Sequence, residues 1–425
     1  MHLLINFVRL LGDSSKYFRL EKRMPHSAML AINGGEPVRT QMLSYGHQLI
    51  EEDDIAAVDT VLKSDYLTCG PATETFEDAL RRVTGAPYVT AVSNGTAALH
   101  VACLAAGIEQ GDEVIVSSIT FAASANCVLY CGATPVFADI DPETWNISPS
   151  EAERLITPKT KAIVAVDFGG VLTDLRALRD ICDRNDLILI EDAAHSIGGS
   201  LDGVPVGSIA DITCFSFHPV KTITCGEGGA VATHDATLAK RIELFAKHGI
   251  TRDPSLLRDA DVGGWHYEQL ELGYNYRMTD IQAALGTSQL SKLERFAARR
   301  REIVAAYNEA FSHMPYVRFQ KDSQPDASVR HLYCLWFDTE ELGVSRRFIY
   351  DALRAEGIGV NVHYLPVYRL PYYEDHGYPK GLCPNAERYY EGAITLPLHC
   401  CMSDSDVSDV IDAVRKVVEA CGGDK

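Results

Sequence analysis

Positive charge is scarce in this 425-residue chain: Lys and Arg number 39 against 58 Asp and Glu, a formal net charge of −19. A surface of that sign repels a phosphate backbone, so nucleic-acid binding by bulk charge is excluded and an anionic ligand has to be held locally. Long apolar runs are missing too. None approaches the roughly 18 residues of a membrane span, and the stretch from Leu3 to Leu11 is short and broken by Arg9. It also lacks the small-residue cleavage pattern of a signal peptide. Residues 1–28 read as an extension ahead of the folded domain, with Met24 and Met29 as alternative starts. The 12 cysteines, spread from Cys69 to Cys421, form no CxxC pair and no Cys/His ligand spacing. That pattern points to reduced thiols in a cytoplasmic protein and to no metal site. Cys127 and Cys131, one helical turn apart, read as small buried hydrophobes. Neither a GxGxxG dinucleotide fingerprint nor a GxxxxGK[ST] phosphate loop occurs.

What is present is a normally apolar globular chain, 46% hydrophobic, long enough for two to three domains at about 150 residues each. Between about residues 90 and 235, short β-branched runs alternate with helical patterns, the signature of βαβ units and a mostly parallel sheet. The candidate strands are Glu113–Ser117, Pro135–Ala138, Ala162–Val166, Leu187–Ile190, Ile212–Phe217 and Ala230–Thr233. Runs such as LILI at 187–190 suit strands covered on both faces. Thr279 to about Ser312 reads as one long helical region. Beyond it, a strand at 331–337, a helix around Ser345–Leu353, a strand at Val360–Tyr364 and a final helix from Asp404 suggest a smaller α+β domain. With no repeat and no low-complexity linker, the division is an extension (1–28), a large domain (29–284) and a small C-terminal domain (285–425), packed together.

The chemistry concentrates in a few stretches. LILIEDAAHSIGG carries Glu191 and Asp192 to the carboxyl end of a buried strand, where open α/β sheets bind ligands. A carboxylate there is costly unless a cation such as a protonated heterocyclic nitrogen meets it, although a helix-cap role explains Asp192 as well. In CFSFHPVKTITCGEGGAV, Lys221 follows a strand and precedes Gly226, Gly228 and Gly229, whose missing side chains leave room for a planar group. Desolvation lowers a lysine pKa and yields the neutral amine that attacks carbonyls. Lysine and strand-end acid together suggest pyridoxal 5′-phosphate (PLP), whose aldehyde wants an amine and whose ring nitrogen wants a carboxylate. Ser93-Asn94-Gly95-Thr96 opens an apolar helix whose free N–H groups suit a phosphate, with Thr96 and Ser216 adding hydroxyls; a plain N-cap is the simpler account. Phe121 can cover a ring or fill the core. His195 can bond a ring substituent or rest as a satisfied buried histidine.

These residues in this order resemble the fold-type-I PLP aminotransferases of the DegT/DnrJ/EryC1/StrS family, which act on nucleotide sugars. The resemblance runs from about residue 30 to the C-terminus and is carried by INGGEPVRT, SNGTAALH, TFAASAN, EDAAHSIG, SFHPVKTITCGEGGA, LGYNYRMTDIQAALG and GVNVHYLPVY. It implies a homodimer, with Lys221 as Schiff-base lysine, Asp192 as pyridinium partner, and Ser216, Gly95, Thr96 and Ala97 as phosphate cradle. Phe121 would stack on the ring, His195 contact the phenolic oxygen, and Asn275 reach the cofactor of the neighbouring subunit. Sugar-nucleotide contacts would fall on Tyr45, on Asp65, Tyr66, Leu67 and Thr68, and on Val362, His363, Tyr364 and Leu365. Arg277 and Lys247 are candidate charges for the diphosphate, an ordinary salt bridge being the alternative for each. KHGITRD, VHYLPVY and CPNAERYY look most like the branch serving pseudaminic-acid synthesis, which moves an amino group from L-glutamate to C4 of a UDP-linked 4-keto-6-deoxy-N-acetylhexosamine. Cys225, where threonine is more usual, departs from that branch and bears on fine specificity. Other UDP-, dTDP- or GDP-linked keto sugars stay open, as does a PLP-binding protein without catalysis. Dehydratase relatives carry histidine at the lysine position.

Overall fold

The computed structural model describes residues 29–259 and 262–422; the extension expected at residues 1–28 lies outside them. Seven strands form the central sheet: β1 (Tyr88–Val92), β2 (Glu113–Ser117), β3 (Thr134–Ala138), β4 (Thr160–Val166), β5 (Ile188–Asp192), β6 (Ile212–Ser216) and β7 (Gly229–Thr233). Their spatial order is β1-β7-β6-β5-β4-β2-β3. Pairing is parallel from β3 through β6, and β7 runs antiparallel to both its neighbours. The continuous apolar runs are buried on both faces as the sequence predicts, because helices cover the sheet on each side.

β1 is the strand the sequence reading passes over. It lies at a sheet edge, pairs with β7 along its length, and its last residue, Val92, also bridges Arg277. The helical region from Thr279 proves to be two helices, α7 (Asp280–Leu290) and α8 (Leu293–Phe311), counting α1 (Glu52–Leu62), α2 (Pro71–Thr84), α3 (Gly95–Ala105), α4 (Ala123–Tyr130), α5 (Leu175–Asn185) and α6 (Ala236–Ala246) before them. The break falls at Lys292, whose ammonium is held 2.6 Å from Asp53, 2.9 Å from Asp54 and 3.3 Å from Glu51. Three carboxylates at the start of α1 thereby fix where the chain turns. At the other end of α7, Asp280 accepts from the N–H groups of Gly70 (2.7 Å) and Thr73 (2.9 Å), which satisfies the open first turn of α2.

A second, three-stranded antiparallel sheet joins β8 (Val317–Phe319), β9 (Tyr333–Phe337) and β10 (Ala393–Leu396). Against it pack α9 (Arg346–Ala355) and the terminal helix Asp404–Gly422, in a core that also takes in Leu30 and Leu43 from the start of the described chain. The strand expected at Val360–Tyr364 does not form. Ile358 bridges Leu43 while Asn361 bridges Thr395, so the segment divides its bonds between two partners and builds no ladder. α8 contributes Leu293 and Phe296 to the core beside the large sheet and Ile303, Tyr307 and Phe311 to the other. The largest core mixes β2 and β4 with Leu332, Cys334, Tyr368 and Tyr389, so the two sheets share buried surface.

Candidate active site

β5 is buried along most of its length and ends in Asp192, 6% exposed, registered between Val166 of β4 and Cys214 of β6. Its Oδ2 accepts from the Ser124 hydroxyl at 2.6 Å, its Oδ1 from the Ala194 N–H at 3.2 Å, and Ser124 in turn meets Thr120 at 2.7 Å. Burial raises this carboxyl above its ordinary range, opposed by the Ser124 and Ala194 bonds and the charge of Lys221. A strand-end carboxylate oriented by two donors and lacking an ion pair among the described residues is suited to a protonated ring nitrogen.

Lys221 lies in the turn after β6 and lines the same cavity. Burial pulls its amine down to about 8, with Asp192 pulling the other way. The turn is fixed by backbone bonds from Lys221 N–H to His218 O (2.9 Å), Cys225 N–H to Phe217 O (3.0 Å) and Phe217 N–H to Gly228 O (2.8 Å). Two glycines are required by close approach: a Cβ on Gly229 would sit 2.4 Å from Asn94 O, and one on Gly95 would sit 2.8 Å from Ser216 Cβ. Only without those side chains can β1, β6 and β7 bring the start of α3 beside Ser216. At that helix end Asn94 Oδ1 caps Ala97 N–H at 2.8 Å, so the simpler N-cap account holds for Asn94. The N–H groups of Gly95 and Thr96 and the hydroxyls of Thr96 and Ser216 have no partner among the described residues. Four free donors at a helix N-terminus, a buried carboxylate and a low-pKa lysine fit the phosphate, ring nitrogen and aldehyde of PLP.

These groups surround a cavity of about 920 Å³. It gathers Tyr45, Gly95, Thr96, Ala97, Phe121, Asp192, His195, Ser216, Lys221, Val362, His363 and Tyr364 from the expected set. Phe121 is 61% exposed, which removes the core alternative; its ring stands 6.3 Å from that of Tyr364. His195 is buried and its Nδ1 accepts from Gly169 N–H at 3.1 Å, leaving the ring proton on Nε2. Burial, then the charge of Lys221, holds it neutral.

Asp65, Tyr66, Leu67 and Thr68 lie on an exposed loop between α1 and α2, and neither they nor Leu365 nor Asn275 reaches this cavity. Asn275 Oδ1 instead accepts from Arg277 Nε at 3.2 Å. Arg277 and Lys247 line a separate concavity of about 530 Å³ with Arg252. Lys247 pairs with Glu243 at 2.6 Å, the ordinary salt bridge, whereas Arg277 meets Cys69 Sγ at 3.4 Å and no carboxylate among the described residues. Cys225 is buried in the core between β7 and α7, outside the cavity. The sequence reading missed Thr120, Ser124, Tyr130, Tyr276 and His331, all lining residues. A signal existed for one pair: Thr120 and Ser124 are four residues apart, within reach across one helical turn.

The sequence profile of the DegT/DnrJ/EryC1/StrS aminotransferase family matches residues 48–415. The chain belongs to this family. A spore coat polysaccharide biosynthesis protein of Bacillus subtilis, SpsC, is 41% identical over 383 residues, 90% of this chain and 98% of that protein. Helicobacter pylori PseC, an aminotransferase involved in the biosynthesis of pseudoaminic acid, superposes with a TM-score of 0.82 at 31% identity, covering 89% of this chain and all of the other. The PLP-form of Spr1654, a putative sugar aminotransferase of Streptococcus pneumoniae, gives the same TM-score at 31% identity over 89% of this chain and 99% of that one. The enzyme is therefore a PLP-dependent aminotransferase of fold type I, with a mostly parallel central sheet. Among the described residues no helix is long and apolar enough to cross a membrane.

Proposed function

We propose that this PLP-dependent nucleotide-sugar aminotransferase moves an amino group from L-glutamate to C4 of a UDP-linked 4-keto-6-deoxy-N-acetylhexosamine, giving UDP-4-amino-4,6-dideoxy-N-acetyl-β-L-altrosamine. The observation that carries amino transfer is Lys221 and Asp192 on one cavity beside the free donors of Gly95, Thr96 and Ser216. The likeness to PseC supports the sugar, together with KHGITRD, VHYLPVY and CPNAERYY. When bound, the cofactor supplies a reactive carbonyl and an electron-withdrawing ring. Asp192 holds the proton on the ring nitrogen. With the cofactor bound, Lys221 would be placed to take a proton from the amino donor's α-carbon and to return one to C4 of the sugar. His195 donates through Nε2–H to the phenolic oxygen, and Phe121 covers the ring face. Tyr45, Val362, His363 and Tyr364 meet the sugar.

The active unit in this reading is a cytoplasmic homodimer, a setting that suits 12 free thiols. Asn275, with Arg277 and Lys247 beside it, lies outside its own subunit's cavity and serves the neighbour's. Residues Asp65 to Thr68 and Leu365 line the nucleotide's path in the assembled site. The test adds L-glutamate, then a panel of 4-keto nucleotide sugars, to purified cofactor-loaded protein while its visible absorbance is followed. Bleaching by glutamate and recovery with the UDP-linked N-acetyl sugar is expected. Recovery only with a dTDP- or GDP-linked sugar replaces the substrate, and no response to any pair removes the reading.

A further inference from the structure

The cavity carries more imidazole than the cofactor uses. His331 lines it beside His195, ring centroids 4.6 Å apart, and neither the strand pattern nor the family motifs single it out. It is 5% exposed. Its Nδ1 is sealed from solvent without a hydrogen-bond partner, while Nε2 is not sealed and bonds to no described residue. A neutral imidazole has one N–H, and a sealed donor without acceptor is rarer and costlier than an unshared lone pair. The proton therefore sits on Nε2, and His331 presents a free donor to the cavity. Burial and the nearby charge of Lys221 keep the ring neutral.

Its mounting is rigid. His331 N–H donates to Gly169 O at 2.9 Å, and the buried Arg300 donates to the carbonyls of Arg330 (3.4 Å), His331 (3.3 Å) and Leu398 (2.9 Å). Gly169 also donates its own N–H to His195 Nδ1. One peptide segment, with Gly169 at φ +68° and Gly170 at φ +90°, thus orients both rings, and a Cβ on Gly170 would meet Val329 O at 2.2 Å.

An amino acid donor brings a carboxylate into a cavity whose lining from its own subunit, among the described residues, includes Asp192 and Glu227, contains no arginine, and offers Lys221, the displaced nucleophile, as its one ammonium; the neighbour's Arg277 and Lys247 belong, in the reading above, to the diphosphate of the sugar nucleotide. His195 is committed to the cofactor, and His363 shares its Nδ1 with Thr395 at 2.8 Å. We propose that His331 Nε2–H receives the α-carboxylate of the amino donor and so holds the donor in place in the first half of the transfer. This rests on the amino-acid-donor reading above and deepens it.

The test uses holoenzyme, wild type against His331→Leu and His331→Gln, and follows cofactor absorbance. Three quantities are measured: the apparent Kd of L-glutamate in the first half-reaction, the apparent Kd of glutarate, which carries carboxylates without an amino group, and the rate of the second half-reaction with keto sugar. A lost hydrogen bond to a charged group weakens binding by about tenfold or more. His331→Leu is expected to do so for both acids while leaving the second half-reaction within about twofold, and His331→Gln is expected to restore part of the loss. Equal loss in both halves, loss confined to the sugar half, or no change overturns the proposal. Should the leucine variant fail to retain cofactor, the glutamine variant alone gives the same ratio of the two halves. A wild type unresponsive to every amino acid removes the donor reading itself, whereas a responsive wild type matched by both variants removes only the role of His331.

Discussion

The cavity wall built by β4, β5 and β6 and the surface rim outside that cavity, formed by residues 65–68, Lys247, Asn275 and Arg277, differ in how their polar groups are held. In the wall, Asp192 and His195 are buried, hydrogen-bonded and shifted by desolvation. On the rim, Tyr66 is 55% exposed, and among the described residues the Arg277 side chain reaches only a thiol and an amide oxygen. The difference separates groups already desolvated and held from groups still open to solvent. Desolvated groups already oriented by their neighbours are ready for chemistry; on the rim, Lys247 is spent on Glu243 and Arg277 meets no carboxylate among the described residues.

If the wall does the chemistry, the largest effects fall there. Lys221→Ala should reduce turnover to background in a steady-state assay while thermal unfolding barely shifts, since positioned proton transfer alone is worth about 10²–10⁴-fold. Activity within about tenfold of wild type would deny the lysine that role. Asp192→Asn keeps the shape but removes the charge, and breaking a buried pair costs about 3–5 kcal/mol. Equilibrium dialysis should show weaker cofactor retention; unchanged retention would break the contrast from the wall's side.

The rim yields a smaller and different signature. Asn275→Ala should weaken the loaded complex by about 1–3 kcal/mol. Mixed with Lys221→Ala subunits, it should regain activity above the sum of the two, because each hybrid dimer assembles one intact site. No recovery on mixing would place Asn275 outside the neighbour's site. The smallest effect is a pH midpoint. Cofactor capture by the apo-protein needs neutral Lys221, so its rate should rise with pH and level off above about 8. The negative charge of Asp192 holds that amine up, so Asp192→Asn should move the midpoint lower. An upward move would contradict the electrostatics.

Legibility in the sequence follows the same division. Strands β2 to β7 announce themselves because a sheet covered on both faces favours continuous apolar runs; β1 matches the other edge strand, β3, in length and exposure, and nothing in the structure explains why its pattern is the weaker one. Val360–Tyr364 has the composition of a strand, yet within it only Asn361 bridges, to Thr395, while the bridge to Leu43 falls on Ile358 just before it, a partnership set by tertiary packing. The break between α7 and α8 depends on Lys292 meeting Glu51, Asp53 and Asp54, residues some 240 positions away. Asp192, Ser216 and Lys221 are legible because a strand end, a glycine turn and a lysine have few joint explanations. Ser124 and His331 sit inside apolar segments whose local pattern is fully explained by packing, and only the fold brings them to the cavity.

The central claim is that Lys221 is the amine that holds the cofactor. Borohydride reduction of the loaded protein followed by peptide mass mapping tests it most directly. The account expects one pyridoxyl group, on the peptide containing Lys221. A pyridoxyl group on any other lysine, or none in cofactor-saturated protein, would contradict it.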